Sequence, residues 1–197
     1  MLSILSTDVI EATHMPTLTI ALPKVGTYVL NPSMTTVGFM AKKLMVSKVR
    51  GAFEKFEGTL VVADPPENST LEVTVDTASI TTREEKRDGH LRSPDFFDSE
   101  KYPHMTFKST KVERIDDANW KVTGDLTIKD VTKPITLAVD YAGMHPTPWG
   151  FEQAVFSASG EIDREEWGLT WNQALEAGSF LVGKTVVLEL EAAVKPA

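Results

Sequence analysis

The sequence contains no cysteine among its 197 residues. This absence excludes a disulfide framework, thiolate-bound zinc, iron–sulfur clusters and a cysteine nucleophile. It leaves the redox compartment open, because a chain without cysteine suits any compartment. A chain of this length buries roughly 70% of the surface that its unfolded form exposes, so its core requires neither a metal nor a disulfide.

Basic residues and long apolar runs are also scarce. The chain has 20 Lys and Arg against 28 Asp and Glu, a formal net charge of −8 that repels phosphate backbones and anionic membrane surfaces. No stretch approaches the roughly 18 apolar residues of a membrane-spanning helix. The first five residues carry no basic side chain, and Asp8 and Glu11 interrupt the apolar run before it reaches signal-peptide length. We therefore expect a cytoplasmic protein that does not bind nucleic acid.

The usual signatures of catalysis and metal binding are missing. There is no Gly-x-Ser-x-Gly, no P-loop, no Gly-x-Gly-x-x-Gly after a strand and no His-x-x-x-His. The four histidines, at positions 14, 90, 104 and 145, are scattered, so no metal site and no cofactor are predicted. Asp95 and Asp98 flank two phenylalanines and could form an acid–base pair. A turn with capping carboxylates around buried aromatics is the favoured interpretation.

Alternation of apolar and polar residues with a period of two dominates the rest of the chain. It is clearest in eight runs: 36–41, 56–62, 71–76, 105–110, 120–128, 135–141, 156–162 and 186–194. Such runs have one dry and one wet face, which is typical of antiparallel sheets. So many strands close into a barrel or split into a sandwich, and periodicity alone does not decide between them. We predict an N-terminal arm over residues 1–24 followed by one domain over 25–197.

One polar segment interrupts the strands. Residues 82–91 predict a short helix capped by Thr81 or Thr82. This segment belongs to a basic cluster that either holds an anionic group or pairs with nearby carboxylates. The cluster comprises Arg83, Lys86, Arg87, His90 and Arg92. A set of phenylalanines suits either a solid core or a lined cavity: Phe39, Phe53, Phe56, Phe96, Phe97, Phe107, Phe156 and Phe180.

Several motifs stand in the order and spacing of a known family. They are Leu44-Met45-Val46-Ser47-Lys48-Val49-Arg50-Gly51, Arg87-Asp88-x-His90-Leu91-Arg92-Ser93-x-Asp95-Phe96-Phe97-Asp98, Tyr102-Pro103-x-x-Thr106-Phe107, Gly124-Asp125-Leu126-Thr127-Ile128, Val131-Thr132-Lys133-Pro134 and Gly168-Leu169-x-Trp171-Asn172. Over residues 25–195 the chain therefore resembles the YceI family of lipocalin-like polyisoprenoid-binding proteins. It departs from the family at Lys43 and at Lys129, where histidines often stand.

The resemblance implies an all-β fold: a single antiparallel lipocalin-like barrel of about eight strands, with a short helix beside it, around an apolar tunnel. It implies non-catalytic binding of a polyisoprenoid or similar amphiphilic lipid, such as a quinone or a prenyl phosphate, for storage, transport or shielding. The lipid is then the bound ligand, without another cofactor. Members of the family commonly dimerise, so the resemblance also implies a homodimer.

On this reading, small residues within the strands leave room for the lipid tail, and the polar head group lies at a mouth near the basic cluster. The predicted tunnel residues are Phe39, Leu44, Phe53, Phe56, Gly58, Leu60, Phe107, Phe156, Ala158, Gly160 and Trp171. The predicted head-group residues are Arg87, His90, Arg92 and Asn172. Two alternatives stay open: an enzyme acting on an amphiphilic substrate at the mouth through His90 with Asp88 or Asp95, and a stress-related interaction protein with a filled barrel.

Overall fold

The computed structural model describes residues 20–44, 46–174 and 180–197. Eleven strands and one α-helix make up its regular structure, together with short 3-10 turns. The elements are β1 (Gly26–Leu30), β2 (Thr36–Lys43), β3 (Ser47–Phe53), β4 (Phe56–Val62), β5 (Thr70–Asp76), β6 (Ile80–Thr81), α1 (Glu85–Arg92), β7 (His104–Arg114), β8 (Asn119–Ile128), β9 (Val131–Pro146), β10 (Glu152–Asp163) and β11 (Val182–Pro196).

The strands form where the sequence alternates. In β8, Trp120, Val122, Leu126 and Ile128 are buried, and the polar residues between them lie on the outer face. The same period of two carries through β9, where Ile135, Leu137 and Tyr141 are buried. One face of the sheet therefore supplies a continuous apolar interior, because side chains alternate between the two faces of a strand.

Every strand pairing is antiparallel, and the sheet closes on itself. The hydrogen-bonded order runs β1-β4-β5-β7-β8-β9-β10-β11, and β11 pairs back to β1 through Leu30 and Val194. Along its first part β11 pairs with β2 instead, and the order continues β2-β3-β6. The prediction of a closed antiparallel barrel of about eight strands with a short helix is confirmed.

Near β6 the barrel wall is bent and incomplete. A 3-10 turn at Thr77–Ser79 separates β5 from β6, where buried Thr77 donates its hydroxyl to Tyr102 O at 2.8 Å. Among the described strands, β6 pairs only with β3. Arg92 of α1 donates to Ala78 O and Ile80 O at 2.8 and 3.0 Å, so the helix satisfies carbonyls on this edge.

The helix is shifted from its predicted position. It begins at Glu85, and its cap is Glu84, whose carboxylate accepts from the backbone N–H groups of Lys86 and Arg87. The prediction of a cap at Thr81 or Thr82 was wrong because Thr82 has other partners. Its hydroxyl donates to the buried Asp88 carboxylate and accepts from Arg87 Nε at 2.7 Å. No helix within the described residues is long and apolar enough to cross a membrane.

Candidate ligand tunnel

Three cavities follow one another along the barrel axis. The inner cavity has a volume of about 180 Å³, the central cavity about 230 Å³ and the mouth cavity about 360 Å³. Residues that line both the inner and the central cavity are Leu30, Leu71, Leu137, Leu190 and Ala192. Residues that line both the central and the mouth cavity are Phe39, Ala41, Leu91, Phe96 and Val182. The shared lining residues show that the three cavities adjoin one another in a row that leads to α1.

The inner cavity lies at the end of the barrel opposite α1. Leu22 and Pro23, from the segment before β1, line it together with Pro66 from the β4–β5 loop. Tyr141 is 2% exposed and donates its hydroxyl to Ala21 O at 2.8 Å. Burial, with a smaller contribution from Tyr28, raises the pKa of the Tyr141 phenol to about 12. This end of the tunnel is therefore apolar and uncharged at neutral pH.

The central cavity is walled mainly by aliphatic and aromatic side chains, including Phe53, Val73 and Phe107. Arg164 is the buried cation in its lining, and it donates to Gly183 O at 3.0 Å and to Leu169 O. Burial lowers the pKa of Arg164, although the neighbouring carboxylates of Glu165 and Asp163 oppose this effect. These bonds tie Arg164 to the backbone at Leu169 and at Gly183, near the start of β11.

The sizes of these cavities decide whether the barrel interior is filled. An apolar cavity of roughly 150 Å³ stays free of water and accepts a benzene-sized molecule. The inner and the central cavity each exceed that volume, and they adjoin. The interior therefore has room for a slender apolar chain, which does not fit the alternative of a filled barrel.

The mouth cavity combines aromatic walls with cations. Lys42 and Lys43 of β2 and Lys86 and Arg87 of α1 contribute to its lining, with Glu84 as the acidic residue beside them. These positions come together because β2 ends where α1 begins to cover the barrel end. The arrangement can hold an anionic or strongly polar group at the entrance of an apolar tunnel.

His90 lies in the wall of the mouth cavity. Its ring meets Trp171 and Phe96 edge to face, with centroid distances of 4.5 and 5.1 Å. Its Nε2 atom lies 2.8 Å from Asp95 Oδ2. Because Asp95 orients the ring from one side and the aromatics hold it from the other, His90 is positioned by packing rather than free to rotate.

Most of the residues predicted for the tunnel line one of the three cavities. These are Phe39, Phe53, Leu60, Phe107, Phe156, Ala158 and Trp171. A Cβ atom on Gly58 would lie 2.6 Å from Leu30, and one on Gly160 would lie 2.8 Å from Leu137, so both glycines leave space for tunnel-lining leucines. Phe56 packs against the cluster of Phe53, Val75 and Ile80.

Leu44 is the clearest departure from the predicted tunnel. It is 47% exposed and lies at the tip of the β2–β3 hairpin, outside the three linings. Its backbone has a φ of 53°, in the left-handed region. The side chain of Leu44 is therefore largely exposed to solvent instead of lining the cavities.

The four predicted head-group residues separate into two pairs. Arg87 and His90 line the mouth cavity, whereas Arg92 and Asn172 line none of the three cavities. Arg92 is bonded to carbonyls at the edge of β6, as described above. Asn172 donates to Val182 O at 2.8 Å and accepts from Val182 N at 3.0 Å. The structure therefore gives Arg92 and Asn172 backbone-bracing positions.

Sequence reasoning missed two sets of lining residues. Lys42 and Lys43 continue a strand into the mouth, and only Lys43 stands out in the sequence, as a departure from the family's histidine. Leu22 and Pro23 fall within the predicted arm, where the period of two is too short to detect. Lys129 occupies the β8–β9 turn and lines none of the three cavities. Across the described ranges, no three His, Asp or Glu side chains gather closely enough to hold a metal ion.

Comparison with known proteins agrees with this architecture. The profile of the YceI-like domain matches residues 28–194. A UPF0312 protein of Staphylococcus aureus (strain USA300) is 38% identical over 161 residues, which cover 80% of this chain and 91% of that protein.

Two solved structures are also similar. A YceI protein of Campylobacter jejuni is 33% identical, with a TM-score of 0.62 over 77% of this chain and 88% of its own. A domain from Saccharophagus degradans, described as polyisoprenoid-binding, superimposes with a TM-score of 0.60 over 88% of this chain and 100% of its own. At 15% sequence identity, that second likeness speaks for the fold alone.

Proposed function

The chain belongs to the YceI family, and on that premise we propose that it binds a polyisoprenoid or a similar long-chain amphiphilic lipid, for storage, transport or shielding. The observation that carries the proposal is the run of three adjoining cavities, apolar at the inner end and cationic at the mouth. The Saccharophagus degradans domain, with the same fold, is described as binding polyisoprenoid, which supports a lipid of this class.

Burial of the tail supplies the affinity in this proposal. Each isoprene unit of four to five buried carbons contributes about 3–4 kcal/mol before ordering costs, at ~0.8 kcal/mol per buried methylene. The inner and central cavities offer apolar walls to the chain, whereas the buried polar groups nearby, such as Tyr141 OH, are already bonded to the protein backbone. We therefore expect affinity to rise with tail length until the inner cavity is full.

The head group lies at the mouth in this proposal, beside Arg87 and His90. A prenyl phosphate would accept hydrogen bonds from the Arg87 guanidinium and attract Lys42, Lys43 and Lys86. A quinone carbonyl would accept a hydrogen bond without using the positive charge. The cations of the mouth therefore favour the phosphate over the quinone.

A second candidate function rests on the 2.8 Å contact between His90 and Asp95 at the mouth. A histidine held by a carboxylate is the arrangement of a general base, so an enzyme acting on an amphiphilic substrate is the alternative. Such an enzyme also needs a nucleophile or an activated water. The hydroxyl in the mouth lining, that of Thr82, is buried and bonded to Asp88 and Arg87. We rank binding first for this reason.

Extraction of the purified protein with organic solvent, followed by mass spectrometry, tests the proposal directly. We expect a lipid with a repeating five-carbon tail. The stripped protein is then titrated with farnesyl monophosphate, farnesol and a ubiquinone, with tryptophan fluorescence as the readout, because Trp120 and Trp171 line the cavities. An extract without lipid together with no binding of any of the three probes would overturn the proposal.

The same samples separate binding from catalysis. Farnesyl monophosphate and an ester of farnesol are incubated with the protein for many hours and recovered. Intact recovery supports a binding protein. Conversion that disappears in His90→Ala would instead support the enzyme alternative.

A further inference from the structure

The β2–β3 hairpin carries features that do not help the barrel to fold. Leu44 adopts a left-handed backbone conformation that a bulky side chain rarely occupies. Lys42 and Lys48 are cross-strand partners, and like charges directly opposite one another are unfavourable. Val46 is 81% exposed. Strain, repulsion and an exposed apolar side chain in one hairpin point to contact with something outside the chain.

Six cations surround the mouth at this end of the barrel, and we call them the cationic rim. Lys42, Lys43, Lys86 and Arg87 line the mouth cavity, Lys48 is the cross-strand partner of Lys42, and Arg83 stands between the lining residues Thr82 and Glu84. No carboxylate lies within 4.0 Å of any of them in the part of the chain that the structure describes, whereas cations elsewhere on the barrel, such as Arg50 and Lys108, form ion pairs. Carboxylates also lie at this end, but most of them have other partners: Glu84 caps α1, Asp95 contacts His90, Asp88 accepts from Thr82, and Glu165 pairs with Lys184. The rim therefore has an excess of positive charge.

Exposed apolar side chains accompany the rim. Leu44, Val46 and Phe180 are 47%, 81% and 54% exposed, and we call them the apolar tip. They lie beside one another, because Leu44 N donates to Leu181 O at 2.9 Å and Phe180 precedes Leu181. Lys43 is the cross-strand partner of Val182 in the same region. Apolar residues with lysines around them form a surface in which long lysine stems can reach past the apolar groups.

We propose that the mouth end of the barrel docks on the surface of an anionic lipid bilayer, with the apolar tip among the head groups and the cationic rim on lipid phosphates. The proposal rests on the proposed function, since a lipid-binding tunnel must exchange its ligand with a membrane. Lys42 and Lys43 belong both to the rim and to the lining of the mouth, so the docked surface would surround the tunnel entrance. A bilayer fits better than an acidic protein because it accepts both the cations and the aliphatic tip.

The net charge of −8 does not oppose this docking. At physiological ionic strength the screening length is about 8 Å, so a membrane that approaches the mouth meets the rim rather than the whole charge of the chain. Each cation close to an anionic surface strengthens binding roughly fivefold. At the opposite end of the barrel, charges of both signs are mixed, so an anionic membrane is not attracted there in the same way.

Vesicle binding with matched double variants tests the proposal. The test variant is Val46→Asp with Lys48→Glu, two exposed residues that line none of the three cavities. The control variant is Val25→Asp with Lys24→Glu, the same changes at the other end of the barrel, where Val25 is 68% exposed. Flotation is measured with phosphatidylcholine vesicles, with and without phosphatidylglycerol, at low and high salt, and thermal melting checks that each variant is folded.

We expect the wild type and the control variant to float with phosphatidylglycerol vesicles and to lose binding at high salt. The test variant should bind at least about twentyfold more weakly. Equal losses in both variants would show that only the net charge matters, and would overturn the proposal. Binding to polyglutamate in solution without binding to phosphatidylglycerol vesicles would assign the surface to an acidic protein instead, and would also overturn it.

Farnesyl monophosphate titration of the same two variants separates this proposal from the proposed function. If both proposals are correct, the test variant keeps its affinity for farnesyl monophosphate but no longer binds the phosphatidylglycerol vesicles. If the wild type binds vesicles but no probe, the proposed function fails and the docking surface stands. If it binds the probe but no vesicles, the docking proposal fails alone.

Discussion

The two ends of the barrel differ in whether their polar side chains are bonded to the protein. At the inner end, polar groups turn back onto the protein: Tyr141 OH bonds to Ala21 O, and Tyr28 OH bonds to Lys24 O. At the mouth, Lys42, Lys43 and Lys86 line the cavity and lack a carboxylate partner among the described residues. Their charges are therefore free to interact with a bound ligand or with a surface outside the chain. At the inner end these polar groups therefore serve stability, whereas at the mouth these lysines are available for contact with other molecules. Substitutions at the two ends should separate stability from binding.

Removal of Tyr141 should produce the largest effect. Tyr141→Ala leaves a cavity in a site that is 2% exposed, and it also leaves Ala21 O without its donor. We expect the free energy of unfolding to fall by about 3–5 kcal/mol, as for other buried aromatic truncations. Denaturant unfolding measures it. Trp149→Ala, at a residue of the same end that is 71% exposed, is the control and should change stability by less than about 0.5 kcal/mol. A loss below about 1 kcal/mol in Tyr141→Ala would show that the inner end contributes little to stability.

Two arginines of α1 should differ in their effect on the ligands, although both are bonded to the protein: Arg87 donates to the hydroxyl and the carbonyl of Thr82 and also lines the mouth cavity. Arg87→Ala should weaken binding of farnesyl monophosphate by about 1.5–3 kcal/mol, the value of a charge-assisted hydrogen bond, and leave binding of the uncharged farnesol unchanged. Arg92→Ala should lower the melting temperature without selecting between the ligands, because its bonds run to Ala78 O and Ile80 O. Isothermal titration with both ligands measures the difference. Equal losses for the two ligands in Arg87→Ala would place the head group elsewhere.

The alternating pattern was sufficient to predict the wall of the barrel. The apolar residues of β8 are spaced two or four apart: Trp120, Val122, Leu126 and Ile128. All of them are buried, because side chains at such spacings lie on the same face of a strand and this face is the interior of the barrel. The pattern does not contain the closure between β1 and β11, which joins residues such as Leu30 and Val194 from opposite ends of the domain. That part of the prediction came from the resemblance to the YceI family.

The site was only partly predictable, for a physical reason. Alternation shows which face of a strand is apolar, but not where the strand leaves the barrel wall. Leu44 and Lys43 are neighbours, yet the lysine lines the mouth and the leucine is largely exposed to solvent. In the same way, Arg87 and Arg92 lie in the same short helix. The Arg92 side chain bonds only to carbonyls at the β6 edge among the described residues, whereas Arg87 bonds to Thr82 just after β6 and also lines the mouth cavity, and no local pattern reveals this difference.

Replacing Gly58 or Gly160 of the barrel wall by leucine should have a moderate effect on both stability and lipid binding. Leucine at position 58 or 160 would push against Leu30 or Leu137, both of which line the inner and the central cavity. We expect a loss of about 1–3 kcal/mol in stability, the usual cost of overpacking, and weaker binding of long tails in particular. Mass spectrometry of extracted lipid and denaturant unfolding check the two effects. Gly89→Ala is the control, because a Cβ atom there meets nothing within 4 Å. Unchanged lipid occupancy in both leucine variants would place these residues away from the tail.

The smallest expected effect is a pH dependence in the β7–β8 turn, again at the inner end. The side-chain amide of Asn119 and the backbone N–H groups of Asn119 and Ala118 donate to Asp116, and these bonds lower the pKa of its carboxyl below the usual 3.8. A carboxyl whose pKa is lower in the folded state stabilises the fold above its unfolded pKa, and this contribution disappears as the pH falls through the folded value. We therefore expect the melting temperature of the wild type to exceed that of Asp116→Asn slightly at neutral pH, with the difference closing as the pH falls below about 4. Asp117→Asn, in the same turn, is the control for loss of a carboxylate that pairs with Arg114 and accepts no hydrogen bond from the turn backbone among the described residues. A difference between wild type and Asp116→Asn that is constant down to strongly acidic pH would show that the turn depends on the shape of the side chain and not on its charge.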